Sequence, residues 1–302
     1  MSGHFNGGDT PQEDERDQYV YTSIRFDRRL VNSAQNTAAS CNKPCPFYML
    51  EHHWTRLQVA KWSTFFFTDD RPRPNSGGPA ILLQVLMNAI KKWHEDHPGE
   101  KPEALRVRLR AFVGGKMSTQ INHPLKSVPM SALFPKSFRR SPEGPEKPEW
   151  TVVLDVQPTE PGEGTMFKTS DRCAYGRARG AAGIMDYMTP KEVLLYTPSQ
   201  EILDGSICTP YLFREGRWVT PSSSVGGLQG TTRRWALENG LAVEGTISID
   251  SLVDGETIWL SNAVRGYFCG IFQKREPPKE ALSEEMVKEL DRQRFTYTQS
   301  IV

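Results

Sequence analysis

Met166-Phe167-Lys168-Thr169-Ser170-Asp171-Arg172 lies between an apolar, strand-like run, Trp150 to Val156, and a small-residue stretch, Arg172 to Gly183, of helical character. From Thr151 to Gln273 the only other lysine is Lys191, although arginines and acids are plentiful there. A lysine taken at random is a solvated surface residue. One amine fixed between two regular elements, and followed by glycine-rich turns, also fits attack on a carbonyl to form a Schiff base. That chemistry requires a partly desolvated amine of lowered pKa, so that enough of it is neutral at working pH.

Working outward from Lys168, the sequence predicts an α+β chain. Tyr19 to Phe26 is β-rich and reads as a first strand. Leu50 to Phe67 carries apolar residues at helical spacing, and Ala80 to Glu95 forms a second helix closed by Pro98-Gly99, after a turn cluster over Asp69 to Pro79. Leu105 to Val113 alternates strictly, which places Arg106, Arg108 and Arg110 on one strand face, expected to be solvated. Ser127 to Pro148 is rich in proline, serine and charge and reads as a linker. Beyond it, short strands are expected at Glu192–Tyr196, Tyr211–Phe213, Trp218–Thr220, Ile247–Ile249, Thr257–Leu260 and Phe268–Phe272, with a helix over Gly230–Gly240. Glu280 to Arg294 reads as a charged C-terminal helix. No regular βαβ alternation announces a Rossmann sheet. The expected division is a disordered leader at 1–17, a small domain at 18–130, a linker at 131–149 and a second domain at 150–302.

Composition narrows the function classes. A chain of 302 residues exceeds a typical single core, which favours two domains. A net charge of +1 argues against nucleic acid or an anionic membrane as obligatory partner. No apolar run reaches membrane-spanning length, and residues 1 to 17 resemble neither a signal peptide nor a transit peptide, so a cytoplasmic setting is expected. Five scattered cysteines, at 41, 45, 173, 208 and 269, read as reduced thiols. Neither Cys41-x-x-x-Cys45 nor the His52-His53 and His94/His97 pairs completes a zinc motif, so no metal is expected.

Four further elements accompany Lys168. Gly226-Gly227-Leu228-Gln229-Gly230-Thr231-Thr232 runs into a helix; glycines admit close backbone approach, and the first N–H groups of a helix suit a phosphate. Ser261-Asn262-Ala263 follows a strand end. Asp204-Gly205-Ser206 places a carboxylate after a strand, where it can serve a pyridinium nitrogen. Arg56, in an otherwise apolar helix start, suits a phosphate clamp. Each of these, taken singly, is also ordinary turn or surface chemistry.

Their order resembles the fold-type IV pyridoxal-phosphate enzymes, the class that includes branched-chain and D-amino-acid aminotransferases and aminodeoxychorismate lyases. The resemblance runs from about Tyr21 to Ile271. It implies a two-domain fold with pyridoxal 5'-phosphate as cofactor. Lys168 is implied as the attachment point, Arg56, Gly230, Thr231 and Thr232 as phosphate cradle, Asp204 as ring partner, and Ser261, Asn262 and Ala263 as a second phosphate-side turn. Phe167-Lys-Thr-Ser-Asp-Arg-x-x-Tyr175 and Tyr21-Thr22-Ser23-Ile24-Arg25 are most similar to the lyase branch, where a threonine of that strand, implied here as Thr22, assists catalysis. Leu203-Asp-Gly-Ser, Gly230-Thr-Thr-Arg-Arg-Trp-Ala-Leu-Glu and Leu260-Ser-Asn-x-Val-Arg-Gly resemble its fungal members. Three departures stand out. Asp204 replaces the usual Glu, Thr209 stands where many members carry Asn, and Cys173 occupies the place of the aminotransferases' tyrosine.

The implied activity is elimination of pyruvate from 4-amino-4-deoxychorismate to give 4-aminobenzoate for folate synthesis. Lys168 would serve as base and proton shuttle, and Thr22 as donor to the departing oxygen. A substrate with two carboxylates calls for arginines, and Arg25, Arg106 and Arg108 are the candidates. An aminotransferase for a small amino acid and a non-catalytic member of the fold are the alternatives. The family also implies a homodimer, to which Trp54 and Trp62 could contribute as readily as to a core.

Overall fold

A computed structural model describes residues 19–60, 78–112, 116–139 and 149–275. The expected leader, the C-terminal helix, most of the 69–79 turn cluster, Trp62 and the second half of the linker lie outside these residues.

The first half is a three-stranded antiparallel sheet in the order β1-β2-β3, formed by β1 (Tyr19–Asp27), β2 (Ala104–Phe112) and β3 (Met117–Pro124). Among the described residues three α-helices precede β2: the short α1 (Ala34–Ala38), α2 (Leu50–Val59) and α3 (Gly78–Asp96). Val20, Ile24 and Phe26 of β1 and Leu105, Val107 and Leu109 of β2 alternate onto the face covered by α2 and α3, meeting Trp54, Leu57, Leu82 and Leu86. Period two on the strands and a 3.6-residue period on the helices make that core. β3 was not expected: Met-Ser-Thr-Gln-Ile-Asn-His-Pro lacks a run of apolar alternation, as suits an edge strand.

The second half is an eight-stranded mixed sheet, β6-β5-β4-β11-β10-β7-β8-β9. Its strands are β4 (Trp150–Leu154), β5 (Lys191–Tyr196), β6 (Ile202–Gly205), β7 (Thr209–Arg214), β8 (Arg217–Pro221), β9 (Val243–Gly245), β10 (Thr257–Asn262) and β11 (Gly266–Phe272). The helices α4 (Met130–Leu133), α5 (Glu163–Met166), α6 (Cys173–Ala181) and α7 (Thr231–Glu238) complete the described α-helices. β4 and β5 pair in parallel, so the chain between them, which holds α5, Lys168 and α6, is a crossover. A second such unit joins β8 to β9 through α7, but β9 is only three residues long and four of the seven described strand pairs are antiparallel, so no regular βαβ rhythm is visible in the sequence. Val153, Val193 and Leu195 pack against Tyr175 and Ala178 of α6, while Val152, Leu194 and Leu260 face a separate core on the other side. The strand expected at Ile247–Ile249 is instead a loop entering a 3-10 turn, Ile249–Ser251.

An aromatic cluster joins the halves. Tyr48, Phe134, Phe138, Tyr211, Trp218, Trp235 and Tyr267 are mutually packed, with Phe138 stacked on Trp259 at 4.9 Å. Leu133, Phe134 and Phe138 come from the stretch read as a linker, and Trp218 Nε1 and Trp259 Nε1 donate to the carbonyls of Phe138 and Arg139. Those residues are docked rather than solvated, because burying their rings outweighs the local polar composition.

Candidate active site

Strand β1 is an edge of its own sheet, and the Lys168 segment closes that edge. Tyr21 N donates to Lys168 O at 2.8 Å, and Ser170 N donates to Tyr19 O at 2.8 Å. The amine is therefore set by main-chain pairing between the two halves, and its Nζ lies 5.3 Å from the centre of the Tyr21 ring. Burial, with the charges of Arg56, Arg172, Arg106 and Arg108, holds the Lys168 amine well below the usual lysine range.

Arg56 sits on α2 with Nε buried and without a hydrogen-bond partner, while its NH2 donates to Thr22 Oγ1. Desolvation pulls its pKa down to about 10. Thr22 is fully buried on the α2-facing side of β1, and its hydroxyl also meets His53 Nδ1 at 2.5 Å. His53 lies three residues before Arg56, hence on the same helix face. It was not singled out as a site residue by sequence; the i, i+3 spacing to Arg56 is the signal that finds it.

The glycine-threonine loop ends as the N-terminus of α7. Thr232 Oγ1 accepts from Ser261 Oγ at 2.8 Å, and Ser261 Oγ pairs with Tyr211 OH at 2.9 Å. Thr231 Oγ1 is buried with no partner among the described residues. A Cβ on Gly230 would lie 2.8 Å from Thr209 Oγ1, so a side chain here would force the Thr209 hydroxyl to move. Tyr267 OH donates to Thr232 O at 2.5 Å and His52 Nδ1 lies 3.3 Å from Thr231 O, fixing the helix start from outside. Unpaired buried donors at Arg56 and Thr231, with a helix N-terminus between small residues, are the donor set that an anion such as a phosphate needs.

Asp204 ends β6. Its Oδ1 accepts from Gly205 N at 2.9 Å and its Oδ2 from Tyr175 OH at 3.3 Å. Burial raises its pKa to about 7, against the opposing pull of Arg172. Arg172 stacks on Tyr175, with Cζ 3.2 Å from the ring centre, and its charge is felt by both Asp204 and Lys168. Arg172 and Tyr175 thus join the site; their i, i+3 spacing at the start of α6 is the readable signal.

Two expectations are corrected. Arg25 does not serve as a free substrate clamp: it is 1% exposed, pairs with Asp27, and donates to the carbonyls of Val264 and Lys126. Its guanidinium ties β1 to the turn after β10, where Arg25 N also donates to Ala263 O at 3.1 Å. The β2 arginines are not a solvated face either. Arg108 lies 4.3 Å over Tyr21 and Arg106 5.1 Å from Tyr187, and both Nε atoms are buried. Across the β1–β2 register these arginines stand opposite Ser23 and Arg25, on the face that carries Tyr21. Asn262 shapes its turn: Oδ1 accepts from Val264 N and Arg265 N, and Nδ2 contacts Cys208 Sγ.

The chain is 34% identical over 200 residues to a Schizosaccharomyces pombe protein whose name assigns it provisionally as an aminodeoxychorismate lyase, covering 63% of this chain and 81% of that one. It is 31% identical over 253 residues to an aminodeoxychorismate lyase of Saccharomyces cerevisiae, covering 74% and 67%. A hypothetical aminotransferase of Mycobacterium tuberculosis, solved in its PLP-bound form, superposes with a TM-score of 0.52 at 16% identity, covering 91% of this chain and 88% of that one. At that identity the likeness concerns the fold, which is the fold-type IV aminotransferase-like one. The model of the amino-transferase class IV family matches residues 42–268, a span that begins before Arg56 and takes in Lys168, Asp204, the start of α7 and the turn after β10. The chain belongs to the amino-transferase class IV family.

Proposed function

We propose that this chain is a pyridoxal-phosphate-dependent 4-amino-4-deoxychorismate lyase that releases pyruvate and leaves 4-aminobenzoate. The observation that carries the proposal is that Arg56 links two groups: its charge bears on the Lys168 amine, held well below its usual pKa, and its NH2 donates to the buried Thr22 hydroxyl. Elimination needs a base for a carbon-bound proton and an acid for a departing oxygen, and these are the two groups.

Arg56, Thr231 and the N–H groups opening α7 hold the phosphate, with Gly230 admitting close approach and Ser261, Asn262 and Ala263 shaping the neighbouring turn. Asp204 would serve the ring nitrogen, and the cationic Arg172 opposes the burial that raises its carboxyl pKa. When bound, the cofactor supplies a sink for the electron pair left by proton removal. Lys168 Nζ, whose pKa its surroundings hold well below the usual lysine range, takes the proton from the amine-bearing carbon of the substrate. Thr22 Oγ1 gives a proton to the departing ether oxygen. Arg106 and Arg108 receive the substrate carboxylates. Aromatisation of the product ring drives the step, so the protein's task is orientation and proton movement. Cys173, where aminotransferases carry a tyrosine, is exposed at the start of α6 and supplies no phenol to the amine. Assembly as a cytosolic homodimer serving folate synthesis belongs to the same proposal and rests on the family resemblance.

The full chain, supplied with pyridoxal phosphate, is expected to turn yellow. Borohydride should bleach it and fix the label on Lys168, and aminodeoxychorismate should be converted to 4-aminobenzoate. Lys168→Ala should abolish colour and product together. Turnover only with an amino donor and a keto acid would move the assignment to an aminotransferase, and a chain that stays colourless would overturn both.

A further inference from the structure

The Thr22 hydroxyl has one proton and two lone pairs, and two neighbours address it. Arg56 NH2 is always a donor and takes one lone pair. His53 Nδ1, at 2.5 Å, either donates to the second lone pair or accepts the hydroxyl proton. These alternatives have opposite consequences for catalysis. If His53 accepts, the Thr22 proton is spent inside the protein. If His53 donates, both lone pairs are filled and the proton is left for the substrate.

The ring itself decides. His53 is completely buried, and burial together with Arg56, His52 and Lys168 keeps it neutral, so it carries a single N–H. Its Nε2 is buried and has no hydrogen-bond partner among the described residues. With the proton on Nε2, a buried N–H would be orphaned, the rarest defect in folded proteins. With the proton on Nδ1, only a lone pair goes unmatched.

We propose that His53 is a positioning residue: its Nδ1–H donates to Thr22 Oγ1 and, with Arg56, fills both lone pairs of that hydroxyl, so that Thr22 presents its proton outward to the substrate's departing oxygen. This rests on the lyase reading for the identity of that oxygen, but the hydrogen-bond arrangement stands without it. The same arrangement couples Arg56 to Thr22: one side chain serves the phosphate through its free Nε and the proton donor through NH2.

Two measurements test it. In the full chain loaded with pyridoxal phosphate and labelled with 15N-histidine, two-bond 1H–15N spectra report the tautomer of each ring, and His53 is assigned by its loss in His53→Asn. Protonation at Nδ1 is expected; protonation at Nε2 overturns the proposal. The second measurement uses three variants. In His53→Asn the amide can reach the Nδ1 position and donate, so kcat should stay within a few-fold of the parent. In His53→Gln the amide sits at the Nε2 position, and in His53→Leu there is no donor. Both should lose on the order of 10²-fold in kcat, with KM little changed, the scale of a general acid's contribution. Equal kcat in the Asn and Leu variants would overturn the positioning role even if both fold normally. A parent protein that makes no 4-aminobenzoate would sink the lyase reading, while the spectrum alone would still decide the tautomer.

Discussion

Asp204 shows how much a single environment can shift a side chain. Its carboxyl is raised to about 7, chiefly by burial, whereas an unfolded chain returns it to about 3.9. Between those values the folded protein binds the proton more tightly than the unfolded chain does. The stability this contributes is complete below about pH 4 and is lost as pH rises through about 7. Asp204→Asn cannot ionise, so the cofactor-free variant should match the parent near pH 4. By pH 8 it should exceed the parent by on the order of 4 kcal/mol in denaturant unfolding. A difference that stays flat across this range would mean that the carboxyl titrates normally. Lys168 is shifted the opposite way: burial, with the cationic neighbourhood of Arg56, Arg172, Arg106 and Arg108, holds its amine well below the usual lysine range.

At the level of the element, the N-terminus of α7 is the most exacting piece. Thr231→Val keeps the shape and removes the unpaired hydroxyl. It should weaken pyridoxal-phosphate binding roughly tenfold, the worth of one hydrogen bond to a charged group, while Thr231→Ser restores it. Spectroscopic titration reads this directly, and an unchanged affinity would remove Thr231 from the cradle. How legible such elements are in the sequence depends on whether their partners are local. Lys168, Arg56 and the Gly230-Thr231-Thr232 corner announce themselves through short spacings within one turn or one strand end. The role of His53 is invisible until β1 is laid against α2, because its partner Thr22 is 31 residues away in the chain. Arg25 was misread for a related reason. An arginine on a strand looks available, yet Asp27, two residues on and so on the same face, had already claimed it. β3 and the three-residue β9 were missed because edge and short strands bury too little to imprint an apolar alternation.

Across the whole molecule, the joint between the halves rests on few but heavily buried ties. Arg25 reaches from β1 to the turn after β10 and to the segment before α4, and its partner Asp27 is fully buried. Arg29 still donates to both oxygens of Asp27, so Arg25→Leu strands no charge but leaves the carbonyls of Val264 and Lys126 without their donor. It should cost on the order of 2–3 kcal/mol of stability, with Arg25→Lys a poor substitute for the forked guanidinium. Chemical denaturation measures the loss; a cost below about 1 kcal/mol would show that the tie is dispensable. The aromatic cluster around Phe138, Tyr211 and Tyr267 should then hold the halves together less faithfully, and Lys168 should shift with them.

The closing of β1's edge by the Lys168 segment also bears on how the protein is made. A ribosome delivers residues 19–112 long before residue 168. During that interval the outer edge of β1, with Tyr19 and Tyr21 still seeking partners, is open to any other extended chain. The nascent first half is therefore the stage at which this protein is most exposed to intermolecular strand pairing. Arrival of the Lys168 segment, which takes up the main-chain groups of Tyr19 and Tyr21, is the event that ends that exposure.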